Sequence, residues 1–81
     1  MQDLEIKTKL TSVFREVFGQ PALEIREETT AADVRGWDSL NHVTLIFATE
    51  KRFGVKFSTR EAQGLKNVGE LIALLKQKIG F

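Results

Sequence analysis

Ile6, Leu10, Val13, Phe14, Val17 and Phe18 stand at i, i+4, i+7, i+8, i+11 and i+12. That spacing lines one face of an α-helix and no other regular structure. Asp3 to Phe18 is therefore predicted to be an amphipathic helix. Glu5 and Lys9 form an i,i+4 pair on its polar side with the acid first, the more favourable order. Gly19 and Pro21 end it.

From Gly19 to about Trp37 the periodicity is lost, and polar residues surround three isolated apolar ones, Leu23, Ile25 and Val34. We read this stretch as an ordered crossover pinned by those three side chains, because a structureless connection so long is uncommon in a compact domain. Asp38 is an N-cap residue for a second helix running to about Phe53, with Gly54 beyond it. On that helix Val43, Ile46 and Phe53 are assigned to one face, while Leu40, Leu45, Phe47 and Ala48 spread apolar surface around the rest. Val55 to Phe57 has no strand nearby to pair with. Ser58 and Glu61 form a capping-box pair opening a short helix that stops at Gly64, and Asn67 with Glu70 repeats the pattern for a last helix. Its inward stripe is Val68, Leu71, Ile72, Leu75 and Ile79, with Lys76 and Lys78 at the end where the helix dipole favours cations. The expectation is an all-α bundle of three long helices and one short one, with a long loop between helices 1 and 2. Residues 1–81 form one domain in this reading.

Composition narrows the function. The chain has no cysteine and one histidine, so disulfides and thiolate metal sites are excluded and no metal centre is expected. Twelve basic and eleven acidic residues give a formal net charge of +1, and the Lys and Arg residues are scattered. Nucleic acid is therefore not expected as a partner. No apolar run approaches the roughly 20 residues that cross a bilayer, and no signal segment precedes the first helix. A soluble, cytoplasmic monomer is expected.

The chemistry centres on Asp38-Ser39-Leu40. A serine opening a helix lies beside unpaired backbone N–H groups and the positive end of the dipole, both of which favour an anionic phosphate on its oxygen. Trp37, Leu40, Val43 and Phe47 make the surroundings apolar, which suits a phosphodiester followed by something greasy. The residues alone leave Ser39 a candidate phosphate bearer, or an ordinary first-turn serine. An enzyme reading takes Ser39 as nucleophile, His42 as base and Asp38 as acid. Against it, Asp38 is better employed as a cap, and so small a bundle offers little room for an oxyanion hole and cleft. His42 is then a surface residue beside the site.

Gly36-Trp37-Asp38-Ser39-Leu40-Asn41-His42-Val43 resembles the signature of the acyl carrier protein family. Its position after one helix and a long loop, heading a helix that ends in Phe-Gly-Val, matches that family, and Val55 to Val68 resembles the family's third helix and the approach to the fourth. The resemblance implies that Ser39 accepts 4′-phosphopantetheine, donated from coenzyme A by a separate Mg²⁺-dependent phosphopantetheinyl transferase. The arm would supply the thiol that a chain without cysteine lacks, and the protein would shuttle thioesters between acyl-loading and acyl-processing enzymes without being an enzyme itself. Asp38 would cap the helix beside the site. Trp37, Leu40, Val43 and Phe47 would contact partners or the arm, although Trp37 can equally close the end of the bundle and Val43 can be shared with the core.

The chain departs from the family in its charge. Asn41 and Thr44 stand where acids are common, and Lys51-Arg52 follows Glu50. Steering toward a basic partner is weakened, which favours a specialised lipid, polyketide or other secondary pathway over primary fatty-acid synthesis. The serine segment lacks the Gly-Gly-His/Asp-Ser form usual in peptidyl or aminoacyl carriers, the second option. An unmodified helical adaptor that keeps the fold is a further alternative.

Overall fold

A computed structural model describes residues 2–80; the ends of the expected domain, Met1 and Phe81, lie outside the described residues. Four α-helices are present: α1 Asp3–Phe18, α2 Ser39–Phe53, α3 Thr59–Gln63 and α4 Val68–Ile79. A 3₁₀ turn, Ala31–Asp33, interrupts the long crossover, and no strand forms among the described residues.

The stripe of α1 builds the core. Ile6, Leu10, Val13 and Phe14 are buried against Leu45 of α2 and Val68, Leu71, Ile72 and Leu75 of α4. Ile25, Val34 and Trp37 of the crossover complete the cluster, with Leu23 packed at its edge. The surface of α1 is wired differently from the expected Glu5–Lys9 pair. Glu5 Oε1 accepts from the Gln2 amide at 3.3 Å and so closes the first turn. Lys9 Nζ instead lies 5.9 Å from the centre of the Phe53 ring.

α2 is rotated relative to the face assigned from sequence. Leu45 and Thr49 are fully buried and Ile46 nearly so, whereas Val43 is exposed. A seam through residues 45, 46, 49 and 53 lies roughly a quarter turn from Val43, which leaves Val43 beside Phe47 on the open side. Thr49 escaped the apolar pattern because its hydroxyl is satisfied locally, donating to the Leu45 carbonyl at 2.8 Å.

The crossover is ordered by hydrogen bonds as much as by its apolar anchors. Arg15 Nε donates to the Leu23 carbonyl and Gln20 Nε2 to the Arg35 carbonyl, both at 2.8 Å. Thr30 and Asp33 cap the 3₁₀ turn, the Thr30 amide donating to Asp33 Oδ2 at 2.9 Å. The crossover also caps α4: the Val68 amide donates to the Thr29 carbonyl at 2.9 Å and the Gly69 amide to the Glu27 carbonyl at 2.8 Å. Those amides would otherwise be orphans of a helix start. A Cβ at position 69 would lie 3.1 Å from the Glu27 oxygen, so any larger residue would press the strap back by a few tenths of an ångström.

α3 is held at both faces. Ser58 and Glu61 form the expected reciprocal cap, and Glu61 also pairs with Lys78 of α4 at 2.9 Å. At α4 the box is offset by one residue: Asn67 Oδ1 accepts from the Glu70 amide, but Glu70 Oε1 accepts from Lys66 rather than from Asn67.

Candidate functional site

The site forms where the crossover turns into α2. Gly36 adopts φ +90°, a left-handed conformation that glycine alone reaches without strain. Its carbonyl then accepts from the Asp38 amide at 3.0 Å and from Asn41 Nδ2 at 2.7 Å. Asp38 Oδ1 accepts from the Asn41 amide at 2.9 Å, which satisfies the third helical position. Asp38 is thus the N-cap of α2, and its carboxylate is committed to the helix.

Ser39 is the first residue of α2 and is exposed. Among the described residues its hydroxyl forms no hydrogen bond, and neither its own amide nor that of Leu40 has an acceptor. A free oxygen beside two free N–H groups at the positive end of a fifteen-residue helix suits a tethered phosphodiester, whose charge those groups would stabilise. A groove of about 500 Å³ runs from Ser39 between α2 and the chain after α3, with Trp37, Val43, Leu65 and Lys66 among its lining residues. An arm leaving the Ser39 oxygen therefore has a partly apolar surface to follow.

Leu40, Val43 and Phe47 stand at i, i+3 and i+7 and are 78%, 52% and 63% exposed. They form one stripe descending α2 from Ser39. Trp37 does not join them. It is 8% exposed, and its indole meets Phe14 edge-on at a centroid distance of 5.2 Å. Of the two roles the sequence leaves open to Trp37, partner contact and closing the end of the bundle, the structure shows the second, with an edge of the ring left to the groove.

His42 is also placed differently from the sequence reading. It is half-buried rather than on the surface, and it stacks on Trp37 at an interplanar angle of 14°. Trp37 Nε1 donates to Nδ1 at 3.0 Å, while Nε2 lies 2.8 Å from the Ala62 carbonyl. Indole N–H is only a donor, so Nδ1 is the acceptor; a carbonyl is only an acceptor, so Nε2 carries the proton. Both ring nitrogens are committed. The imidazole can take no proton from Ser39 without breaking the bond to Trp37, and Asp38 is occupied as a cap. The nucleophile–base–acid arrangement is absent among the described residues, which also hold no cluster of metal-ligating side chains. The role of His42 as a clip between α2 and α3 left no periodic signal in the sequence, because its partner is a backbone carbonyl twenty residues away.

The family model described as a phosphopantetheine attachment site matches residues 8–75. The chain is 32% identical over 76 residues to an acyl carrier protein of Thermotoga maritima, with 94% of each chain covered. It is 35% identical over 68 residues to one from Acidothermus cellulolyticus, covering 84% of this chain and 81% of that one. A holo acyl carrier protein of Geobacter metallireducens, solved in solution, superposes with a TM-score of 0.84 at 40% identity, covering 91% of this chain and 85% of the other.

Proposed function

The chain belongs to the acyl carrier protein family, and from that premise we propose that Ser39 is the residue that bears its 4′-phosphopantetheine arm. The observation that carries the assignment is the Ser39 hydroxyl, exposed and unengaged at the first position of α2 inside the matched region. When bound, the arm supplies a terminal thiol for thioester formation. The rest is done by the chain itself. Asp38 and Gly36 fix the helix start, the Ser39 and Leu40 amides would hold the phosphate, and Leu40, Val43 and Phe47 would present apolar contacts to the arm or to enzymes that handle it.

Residues 1–81 act as one carrier domain, modified by a phosphopantetheinyl transferase and visited by acyl-loading and acyl-processing enzymes. The protein is not itself an enzyme, a reading supported by the double commitment of His42. We take the protein to be a cytoplasmic, monomeric shuttle; no helix among the described residues is long and apolar enough to cross a membrane. The cargo belongs to a specialised lipid, polyketide or secondary pathway, because α2 exposes no carboxylate within its length.

Incubation with coenzyme A, Mg²⁺ and a broad-specificity transferase, followed by intact mass, tests the assignment. The protein gains one phosphopantetheine group and Ser39→Ala gains none. An unmodified adaptor would gain nothing in either form, and a hydrolase would turn over an activated ester unmodified. Aminoacyl cargo on protein purified from its native host would move the reading to a peptidyl carrier.

A further inference from the structure

The stripe below Ser39 has a charge pattern that specifies what it meets. The exposed residues of α2 are Ser39, Leu40, Val43, Thr44, Phe47, Lys51 and Arg52. All but Ser39 and Arg52 fall on one side, at i, i+3, i+4, i+7 and i+11 from Leu40, so the apolar stripe ends on Lys51. Arg52 points elsewhere and is paired with Glu16 of α1 at 2.9 Å.

Two grooves flank the stripe, and each carries lysine. Beside Phe47, a groove of about 740 Å³ is lined by Ala48, Val55, Lys51 and Lys56. Beside Val43, the groove that begins at Ser39 has Lys66 on its wall. None of these three lysines pairs with a carboxylate among the described residues. The carboxylates in the same two grooves keep their charge but are held on backbone amides rather than on a lysine: Glu50 Oε2 accepts from Phe57 at 2.7 Å and Asp38 Oδ1 from Asn41. Lys51 would be explained by the dipole at the end of α2, but Lys56 and Lys66 lie outside any helix and no such account covers them.

We propose that this face docks a partner protein whose contact surface is an apolar site rimmed by carboxylates. An apolar centre with a charged rim is the ordinary anatomy of a non-obligate interface, and the charges at the rim select the partner by complementarity. Leu40, Val43 and Phe47 fill the centre; Lys51, Lys56 and Lys66 meet the acids around it. The inference rests on the reading of α2 as the face presented to acyl-processing enzymes, and it gives the polarity of those enzymes.

Two synthetic amphipathic helices serve as probes, identical in their leucine stripe but flanked in one case by glutamate and in the other by lysine. The isotope-labelled holo protein is titrated with each at low salt and followed by amide chemical shifts. The glutamate peptide binds at least roughly tenfold more tightly, its shifts fall on residues 40–56, and the preference collapses at high salt. Lys51→Glu/Lys56→Glu reverses the preference, while Phe47→Ala weakens both peptides alike; circular dichroism checks that these exposed substitutions leave the fold intact. Equal affinity, a preference for the lysine peptide, or shifts confined to another face would overturn the proposal. So would binding to anionic phospholipid vesicles without discrimination between the peptides, which would assign the face to a membrane. Repeating the titration on unmodified chain separates the two readings: failure of Ser39 to accept the arm sinks the carrier assignment and leaves the peptide preference standing.

Discussion

Trp37 Nε1 donates to His42 Nδ1 at 3.0 Å, and through that bond the core of the bundle fixes the orientation of a ring on the first turn of α2. The other ring nitrogen reaches the Ala62 carbonyl, so three elements meet at one imidazole. One wall of the groove beside Ser39 thus includes a ring whose two nitrogens are both engaged.

His42→Ala should remove both bonds and leave the Trp37 N–H without its acceptor, a loss of about 1–3 kcal/mol. Urea denaturation followed by tryptophan emission reads the loss as a lower midpoint at unchanged slope. Amide exchange should quicken in α3, because Ala62 has lost its clip. An unchanged midpoint for His42→Ala would mean that the clip contributes nothing.

The strap between the crossover and α4 makes a second prediction. At Gly69 an added Cβ would lie 3.1 Å from the Glu27 carbonyl oxygen and 3.2 Å from its Cβ. Overpacking of this kind costs about 1–3 kcal/mol. Gly69→Ala should lower the thermal midpoint and expose the Val68 and Gly69 amides to exchange, even though alanine is the better helix former. A stabilised Gly69→Ala would show that the strap yields without cost.

How much of this was legible beforehand depends on the range of the interactions. α1 and α2 follow the sequence to the residue, because helical period and capping are local signals, and Ser39 falls where a cap at Asp38 must put it. The inward face of α2 did not follow. Leu45 and Val43 are equally apolar, and only the placement of α1 and α4 decides which is buried. The crossover was legible at Ile25 and Val34 but not in its 3₁₀ turn or its grip on α4, which rest on backbone groups that any residue type carries. Trp37 and His42 carry no sequence signal that links one to the other. Their partnership joins the residue before the cap to the helix's first turn and has no periodicity to betray it.

Acid should loosen α3 through Glu61. Hydrogen bonding from the Ser58 amide, then Lys78, holds its carboxyl below the ordinary glutamate range. A depressed value in the folded state means that the unfolded chain binds the proton first as pH falls. The contribution is therefore full above the unfolded glutamate value and is lost as pH descends through the folded one. Glu61→Gln should flatten that part of the stability–pH curve and leave the neutral-to-alkaline part parallel to the parent. A Gln variant with the same acid limb would remove Glu61 from the account.

Loading the arm tests whether the groove at Ser39 holds cargo. Its wall includes Trp37, Val43 and Leu65, and it opens beside the attachment oxygen, so a chain of medium length can lay several methylenes against apolar surface. Each methylene withdrawn from water contributes about 0.8 kcal/mol, and a ligand held only by the native state raises stability by its own binding energy. In a domain of this size 1 kcal/mol moves the melting temperature by roughly 4–8 °C. Octanoyl protein should thus melt at least about 5 °C above the form bearing the bare arm, and an acetyl group should give almost none of that gain. Val43→Asp should abolish the octanoyl increment while leaving the bare-arm melting point nearly where it was, because Val43 is half exposed before loading. If octanoyl and bare-arm forms melt together, the chain lies in solvent and the groove serves the arm alone.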